Sequence, residues 1–335
     1  MKRRDFMKLS AGLGAAGLAT SLTPLSPARA QTKMVFKASD VQPPGYPTVA
    51  ATENLGKKLA AATDGRLSVQ MYPSMQLGGE KETIEQTQIG AIQLLRVSLG
   101  SMGPIVDDIN VVNMPFLFKN IAHSEKMMDG PIGQELLDKI TASPTANLVG
   151  LCWMNSGARS LYNSKHPIKS IEDVKGLKFR VIGNPIFIEM MNALGGNGVA
   201  MGYDQVFSAL QTGVIDGAEN NPPSYVFSNH YTAAKYYSLT EHLVIPEVLV
   251  FSKRAWSGLS ADDQNLIRKF AREAQFEERE LWKKYEEQAM EKAKAAGCQI
   301  VEIADKSPFQ NAVKPVWDKY GPKYQDMIKR IQALA

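Results

Sequence analysis

Between Ser260 and Gly297 the chain carries one long helical pattern, and no other stretch constrains the architecture as much. Ser260-Ala261-Asp262-Asp263 has the form of a capping box, helical character persists to Ala296, and Gly297 is placed to cap the C-terminus. At 1.5 Å rise per residue such a helix is about 50 Å long. That exceeds the width of a small domain, so an unbroken helix must cross from one domain to another. Glu277, Glu278, Arg279, Glu280, Lys283 and Lys284 place much of its surface in water. Two consecutive helices, or a kink near Gln275–Glu278, remain the alternative.

Upstream, strand and helix patterns alternate. Lys33–Ser39 reads as a strand and Gln42-Pro43-Pro44-Gly45-Tyr46 as a turn. Pro47 suits a first helical position, with Val49, Leu55, Leu59 and Ala62 on one apolar face as far as Asp64-Gly65. Strands are predicted at Arg66–Tyr72, Leu148–Met154, Leu177–Val181, Val214–Glu219 and Val244–Phe251, and helices at Glu80–Ile89, Pro185–Leu194 and Asp204–Gln211. Ser170, three residues before Asp173, caps a short turn. This rhythm predicts an α/β fold with largely parallel sheets. There are no internal repeats and no long low-complexity linker, so two domains would be joined by several chain crossings.

With 335 residues, 44% of them hydrophobic, the chain can build a two-domain core. Lys2, Arg3, Arg4, Lys8 and Arg29 against Asp5 account for the whole formal charge of +4, leaving the rest balanced. A nucleic-acid partner needs a basic footprint on the folded body, and none is visible. The first thirty residues read as an address. Arg3-Arg4-Asp5-Phe6 precedes a weakly apolar stretch, and Ala28-Arg29-Ala30 offers a cleavage point after Ala30. The paired arginines resemble a twin-arginine (Tat) signal. The stretch is shorter than the roughly 20 residues a membrane span needs, so a mature periplasmic protein that does not itself span the membrane is expected. Gly12-Leu13-Gly14-Ala15-Ala16-Gly17 matches a dinucleotide fingerprint, but it sits in this discarded segment and not in a βαβ unit.

Catalytic chemistry is thin. His123, His166, His230 and His242 lack paired-ligand spacing, and there is no nucleophile elbow or Walker loop. No cofactor and no metal are expected, and the chain is read as not an enzyme. Cys152 lies in an apolar strand as an inert thiol, although a Cys152–Cys298 disulfide is allowed in this compartment. Binding chemistry is better represented. Arg180 ends a predicted strand and Arg159 follows another in a loop, the positions that face the crevice of an open α/β sheet. A guanidinium cannot deprotonate and matches a carboxylate, so two in one cleft call for an anion. An internal salt bridge is the competing use of either arginine. Asn220 opens a polar stretch, Asn220-Asn221-Pro222-Pro223-Ser224-Tyr225, read as a rigid non-helical corner able to hydrogen-bond a ligand or simply to form an Asx turn.

Three segments resemble the solute-binding proteins of TRAP (tripartite ATP-independent periplasmic) transporters, the DctP-like family. They are Thr63-Asp64-Gly65-Arg66-Leu67 through Tyr72-Pro73-Ser74-Met75-Gln76-Leu77-Gly78-Gly79-Glu80, then Lys175-Gly176-Leu177-Lys178-Phe179-Arg180-Val181, then Ala209-Leu210-Gln211-Thr212-Gly213-Val214-Ile215-Asp216-Gly217-Ala218-Glu219-Asn220. The resemblance implies a two-domain periplasmic binding-protein fold with a central cleft, several hinge crossovers and a long domain-spanning helix. The domains would be residues 31–156 plus 246–285 and residues 157–245 plus 286–335. It implies ligand capture by hinge closure, with small and large membrane subunits as partners; the binding protein itself is expected to be a monomer.

By the same resemblance Arg180 clamps a ligand carboxylate, Arg159 is the second arginine and Asn220 holds the same end. Asn184 and Tyr203 line the pocket, and Glu80 meets ligand hydroxyls from the opposite domain. The Asn220–Tyr225 stretch, with Asn221 and Tyr225, and the Pro43-Pro44-Gly45-Tyr46 loop resemble the sugar-acid branch. That favours a uronate such as glucuronate or galacturonate. A C4-dicarboxylate such as malate or succinate is the alternative and would need a far cation, for which Lys81 is a candidate beside an opposing Glu80. A Tat-exported enzyme, and a sensory rather than a transport role, stay open.

Overall fold

The structure, a computed structural model, describes residues 33–335. The segment read above as a leader, with its expected cleavage point, lies outside the described residues. Lys33–Ala335 form one compact unit built on two sheets.

The first sheet holds β1 (Met34–Ser39), β2 (Leu67–Tyr72), β3 (Leu94–Ser98), β4 (Leu148–Met154) and β10 (Glu247–Ser252), in the order β2-β1-β3-β10-β4. The second holds β5 (Ala158–Asn163), β6 (Lys178–Val181), β7 (Asn197–Ala200), β8 (Gly217–Asn220), β9 (Tyr236–Val244) and β11 (Gln299–Glu302), in the order β11-β9-β5-β8-β6-β7. The sheets are mixed, not largely parallel: β10 runs antiparallel to β3 and β4, and β5 antiparallel to β8 and β9. β5 and β10 each follow a short connection that carries the chain from one sheet to the other, and each enters its new sheet from the opposite direction. Periodicity cannot report that, because the side-chain period is the same in both senses.

The long helix is continuous from Ala261 to Ala295. Ser260 accepts from the Asp263 N–H at 3.2 Å, while the Asp263 carboxylate turns to Arg66 rather than completing a capping box. At the other end Cys298 N donates to Ala293 O and Gly297 N to Lys294 O, with Gly297 at φ 78°, a Schellman stop that glycine favours. The helix packs on the first sheet through Ile267, Phe270, Ala271 and Ala274 and on the second through Ala289 and Ala293. One segment therefore belongs to both cores.

Several boundaries moved. Arg159 lies within β5, not in a loop, and the strand expected at Val214–Glu219 starts at Gly217. Pro222–Phe227 is a short helix rather than a non-helical corner. Pro222 has no N–H to lose in the first turn, and the Asn221 side chain accepts from Ser224 N at 2.8 Å as the cap. Cys152 and Cys298 are free thiols buried in separate clusters, so the allowed disulfide does not form. Among the described residues no helix is long and apolar enough to cross a membrane.

Candidate functional site

A cleft opens between the two sheets, and strand direction explains which residues line it. β6 and β8 are parallel, so their carboxyl ends lie at one edge and carry Arg180 and Asn220 there. β5 runs the other way, which sets Ser160 opposite Asn220 and brings neighbouring Arg159 beside it. The first sheet repeats the device: β10 starts at Glu247 opposite Ser98, the last residue of β3, two residues beyond Arg96. Ligand crevices of open α/β folds sit at such edges.

The two arginines of the second sheet have different partners. Arg159 donates through Nε to Glu219 Oε2 at 2.6 Å, through Nη2 to Glu219 Oε1 at 2.8 Å and through Nη1 to Asn220 Oδ1 at 2.7 Å. His242 Nε2 stands 3.5 Å from Glu219 Oε2. Burial alone would raise the Glu219 pKa, but the Arg159 guanidinium, with His242, holds it at about 2. Arg159 is likewise held charged against its burial by Glu219. Arg180 differs. Its Nε donates to Met201 O at 2.9 Å, the Tyr203 ring centre lies 5.7 Å from its Cζ, and among the described residues no carboxylate bonds it. Burial and the neighbouring Arg159 push its pKa down, with Glu219 opposing. The Arg159–Glu219 pair cancels, so this wall carries one uncompensated positive charge, on Arg180.

The opposite wall is anionic. Arg96, in an otherwise apolar strand, donates through Nε to Asp40 Oδ1 at 2.9 Å and through Nη1 to Glu247 Oε2 at 2.6 Å and Glu80 Oε1 at 3.2 Å. Glu80 also accepts from Ser98 N at 3.1 Å and from the Ser101 hydroxyl. Burial pushes Glu247 upward; Arg96 opposes and Glu80 adds to the rise. Arg96, Arg159 and Arg180 are each at most 5% exposed, so their charges act in a medium that screens them little.

Of the residues singled out in the sequence, Arg159, Arg180, Asn220, Glu80 and Tyr203 line this cleft. The Tyr203 hydroxyl bonds Ser228 Oγ at 2.6 Å. Tyr46 stands just behind the cleft, its hydroxyl 3.1 Å from the lining Ser224 Oγ and its ring against Trp282. The other three lie elsewhere. Asn184 caps the helix Pro185–Ala193 and donates to Gly100 O and Asn110 Oδ1, both at 3.0 Å. Asn221 caps Pro222–Phe227 and donates to Ser156 Oγ. Tyr225 is core, its hydroxyl donating to Ala234 O at 2.6 Å. Lys81 is exposed, so the far cation of the cleft is Arg96. Arg96 and Glu247 escaped the sequence reading. Their signal was a lone charge within an apolar strand, Leu94-Leu95-Arg96-Val97 and Glu247-Val248-Leu249-Val250.

A polar crevice between two sheets, crossed by a shared helix and holding a buried cation with no acid partner among the described residues, is the kind of site in which a solute-binding protein takes a small anion. The chain belongs to the DctP family, bacterial extracellular solute-binding protein family 7, whose sequence model matches residues 38–323. It is similar to a TRAP periplasmic solute-binding protein from Pseudomonas putida F1 solved with bound D-glucuronate, with 54% identity, 90% of this chain and 97% of that chain covered, and a TM-score of 0.88. One from Bradyrhizobium, in complex with D-galacturonate, is 43% identical with a TM-score of 0.87, over 90% of this chain and all of that one. A Citrobacter koseri protein was solved in two forms. The TM-score is 0.87 with its glucuronate-bound form (46% identity, 89% and 99% coverage) and 0.79 with its apo, open form (44%, 89% and 99%). The chain is thus more similar to the glucuronate-bound form of that protein than to its open, ligand-free form.

Proposed function

We propose that this protein captures a hexuronate, glucuronate or galacturonate, in the periplasm and delivers it to the small and large membrane subunits of a TRAP transporter. The observation that carries the reading is Arg180: a buried guanidinium at the cleft whose Nη groups bond no acid among the described residues. A buried cation without an anion is costly, and a ligand carboxylate removes that cost with charge-assisted bonds. Arg159 serves by presenting Asn220, whose Oδ1 it fixes while Nδ2 is left for the ligand. One net positive charge on this wall matches one carboxylate. The far wall engages Arg96 with three carboxyl groups, so hydroxyls, not a second carboxylate, are its natural partners.

Closure follows from the hinge reading. Residues 31–156 with 246–285 move against 157–245 with 286–335, expelling water from the cleft and strengthening its bonds by lowering the local dielectric. The leader is read as a Tat signal, and the mature protein as a monomer without cofactor or catalytic activity. Calorimetry tests the binding claim. Glucuronate or galacturonate should bind the wild type and fail to bind Arg180→Ala. Unaltered affinity in that variant, or binding of malate or succinate alone, overturns it.

A further inference from the structure

We propose that Glu247 is the specificity-determining residue of the cleft, reading the ligand end farthest from the carboxylate and excluding ligands that carry a second carboxylate there. This rests on the uronate reading above and adds the group that distinguishes a uronate from the corresponding diacid. Glu247 spends Oε2 on Arg96, while Oε1 has no partner among the described residues and the residue lines the cleft. Its companions are already committed. Asp40 Oδ1 takes Arg96 and the Gln42 N–H, and its Oδ2 takes Thr48. Glu80 spends Oε1 on Arg96 and Ser98 and Oε2 on Ser101. Gln42 Oε1 is buried without a partner beside them. The wall therefore offers acceptors, which hydroxyl groups satisfy.

The charge count gives the exclusion. One guanidinium is shared by three carboxylates, so this wall is net negative where the Arg180 wall is net positive. A second ligand carboxylate would meet Glu247 Oε1 with no cation to spare, and like charges opposed in a buried site are strongly disfavoured. The geometry of β10 supplies the placement: as the first residue of a strand entering antiparallel, Glu247 sits at the cleft edge of a sheet whose other β10 residues are apolar or Ser252.

The test compares galacturonate with galactarate, its open-chain diacid in which the aldehyde carbon is oxidised to a second carboxylate, by calorimetry at pH 8. Wild type should bind galacturonate and not galactarate. Glu247→Gln removes the charge but keeps the shape, and should shift the galactarate-to-galacturonate affinity ratio upward about tenfold or more. An unchanged ratio overturns the inference and leaves the uronate reading intact. A wild type that binds no uronate overturns both. Should Glu247→Gln not fold, Glu247→Asp keeps the charge but withdraws the carboxyl from the cleft. It should weaken galacturonate binding and still refuse galactarate, and full galacturonate affinity in this variant overturns the inference.

Discussion

The Arg159 guanidinium holds Glu219 along two edges, Nε to Oε2 at 2.6 Å and Nη2 to Oε1 at 2.8 Å, with both side chains buried. Either residue alone would leave an uncompensated charge inside the protein. Glu219→Gln should therefore cost about 3–5 kcal/mol in urea unfolding. The wild-type pair also sets an acid limit. The folded pKa of Glu219, about 2, lies below the unfolded value of about 4.3. Its contribution is fully present above that unfolded value and is lost as pH falls toward about 2. The variant should lack this part of the acid transition.

Arg180 should behave in the opposite way. Among the described residues it has no acid partner to strand, so Arg180→Met relieves a buried charge. The expected outcome is a thermal midpoint equal to or above wild type without ligand, together with loss of ligand-induced stabilisation. A midpoint well below wild type would show that Arg180 supports the fold. Arg159→Met, run beside it, should lower the midpoint.

Glu278 on the long helix gives a third expectation. Its Oε2 accepts the Asn155 N–H at 2.8 Å, where the chain crosses from β4 to β5, and its Oε1 is buried without a partner. Burial pushes its pKa up to about 8, with the Asn155 bond opposing and Glu247 adding to the rise. The folded protein then holds a proton that the unfolded chain, near pKa 4.3, has released. Stability should fall as pH rises from about 4.3 toward 8, by up to about 1.4 kcal/mol per pH unit. Glu278→Gln, which keeps an acceptor for Asn155, should flatten that slope in unfolding measured at several pH values.

At the same crossing, Gly157 sits at φ 60°, and a Cβ there would lie 2.8 Å from Glu286 Oε1 and 3.2 Å from the Trp282 ring. Gly157→Ala should cost about 1–3 kcal/mol in denaturant unfolding, from backbone strain and crowding together. A loss below about 0.5 kcal/mol would mean that the helix side chains move aside freely.

Local periodicity was enough to locate the long helix, β1, β2, β4, β6 and the helix after Pro185, because each buries one face or a continuous apolar run that a single segment reveals. It was enough, too, for Arg180 and Asn220, which stand at the ends of their own strands. It misread Asn221-Pro222-Pro223, since an asparagine before two prolines serves a turn or a helix start equally well, and only the Ser224 N–H decides between them.

What the chain determined by itself was therefore the set of elements, the long helix and the presence of fixed cations at strand ends, all consequences of interactions within about a dozen residues. The tertiary structure decided which cation remains without an acid partner. Glu219 lies 60 positions from Arg159, and Glu247 lies 151 from Arg96; strand direction alone brings each pair together. Whether a buried charge is neutralised depends on distance in space, which no local pattern encodes, and that neutralisation leaves Arg180 as the cation open to a ligand.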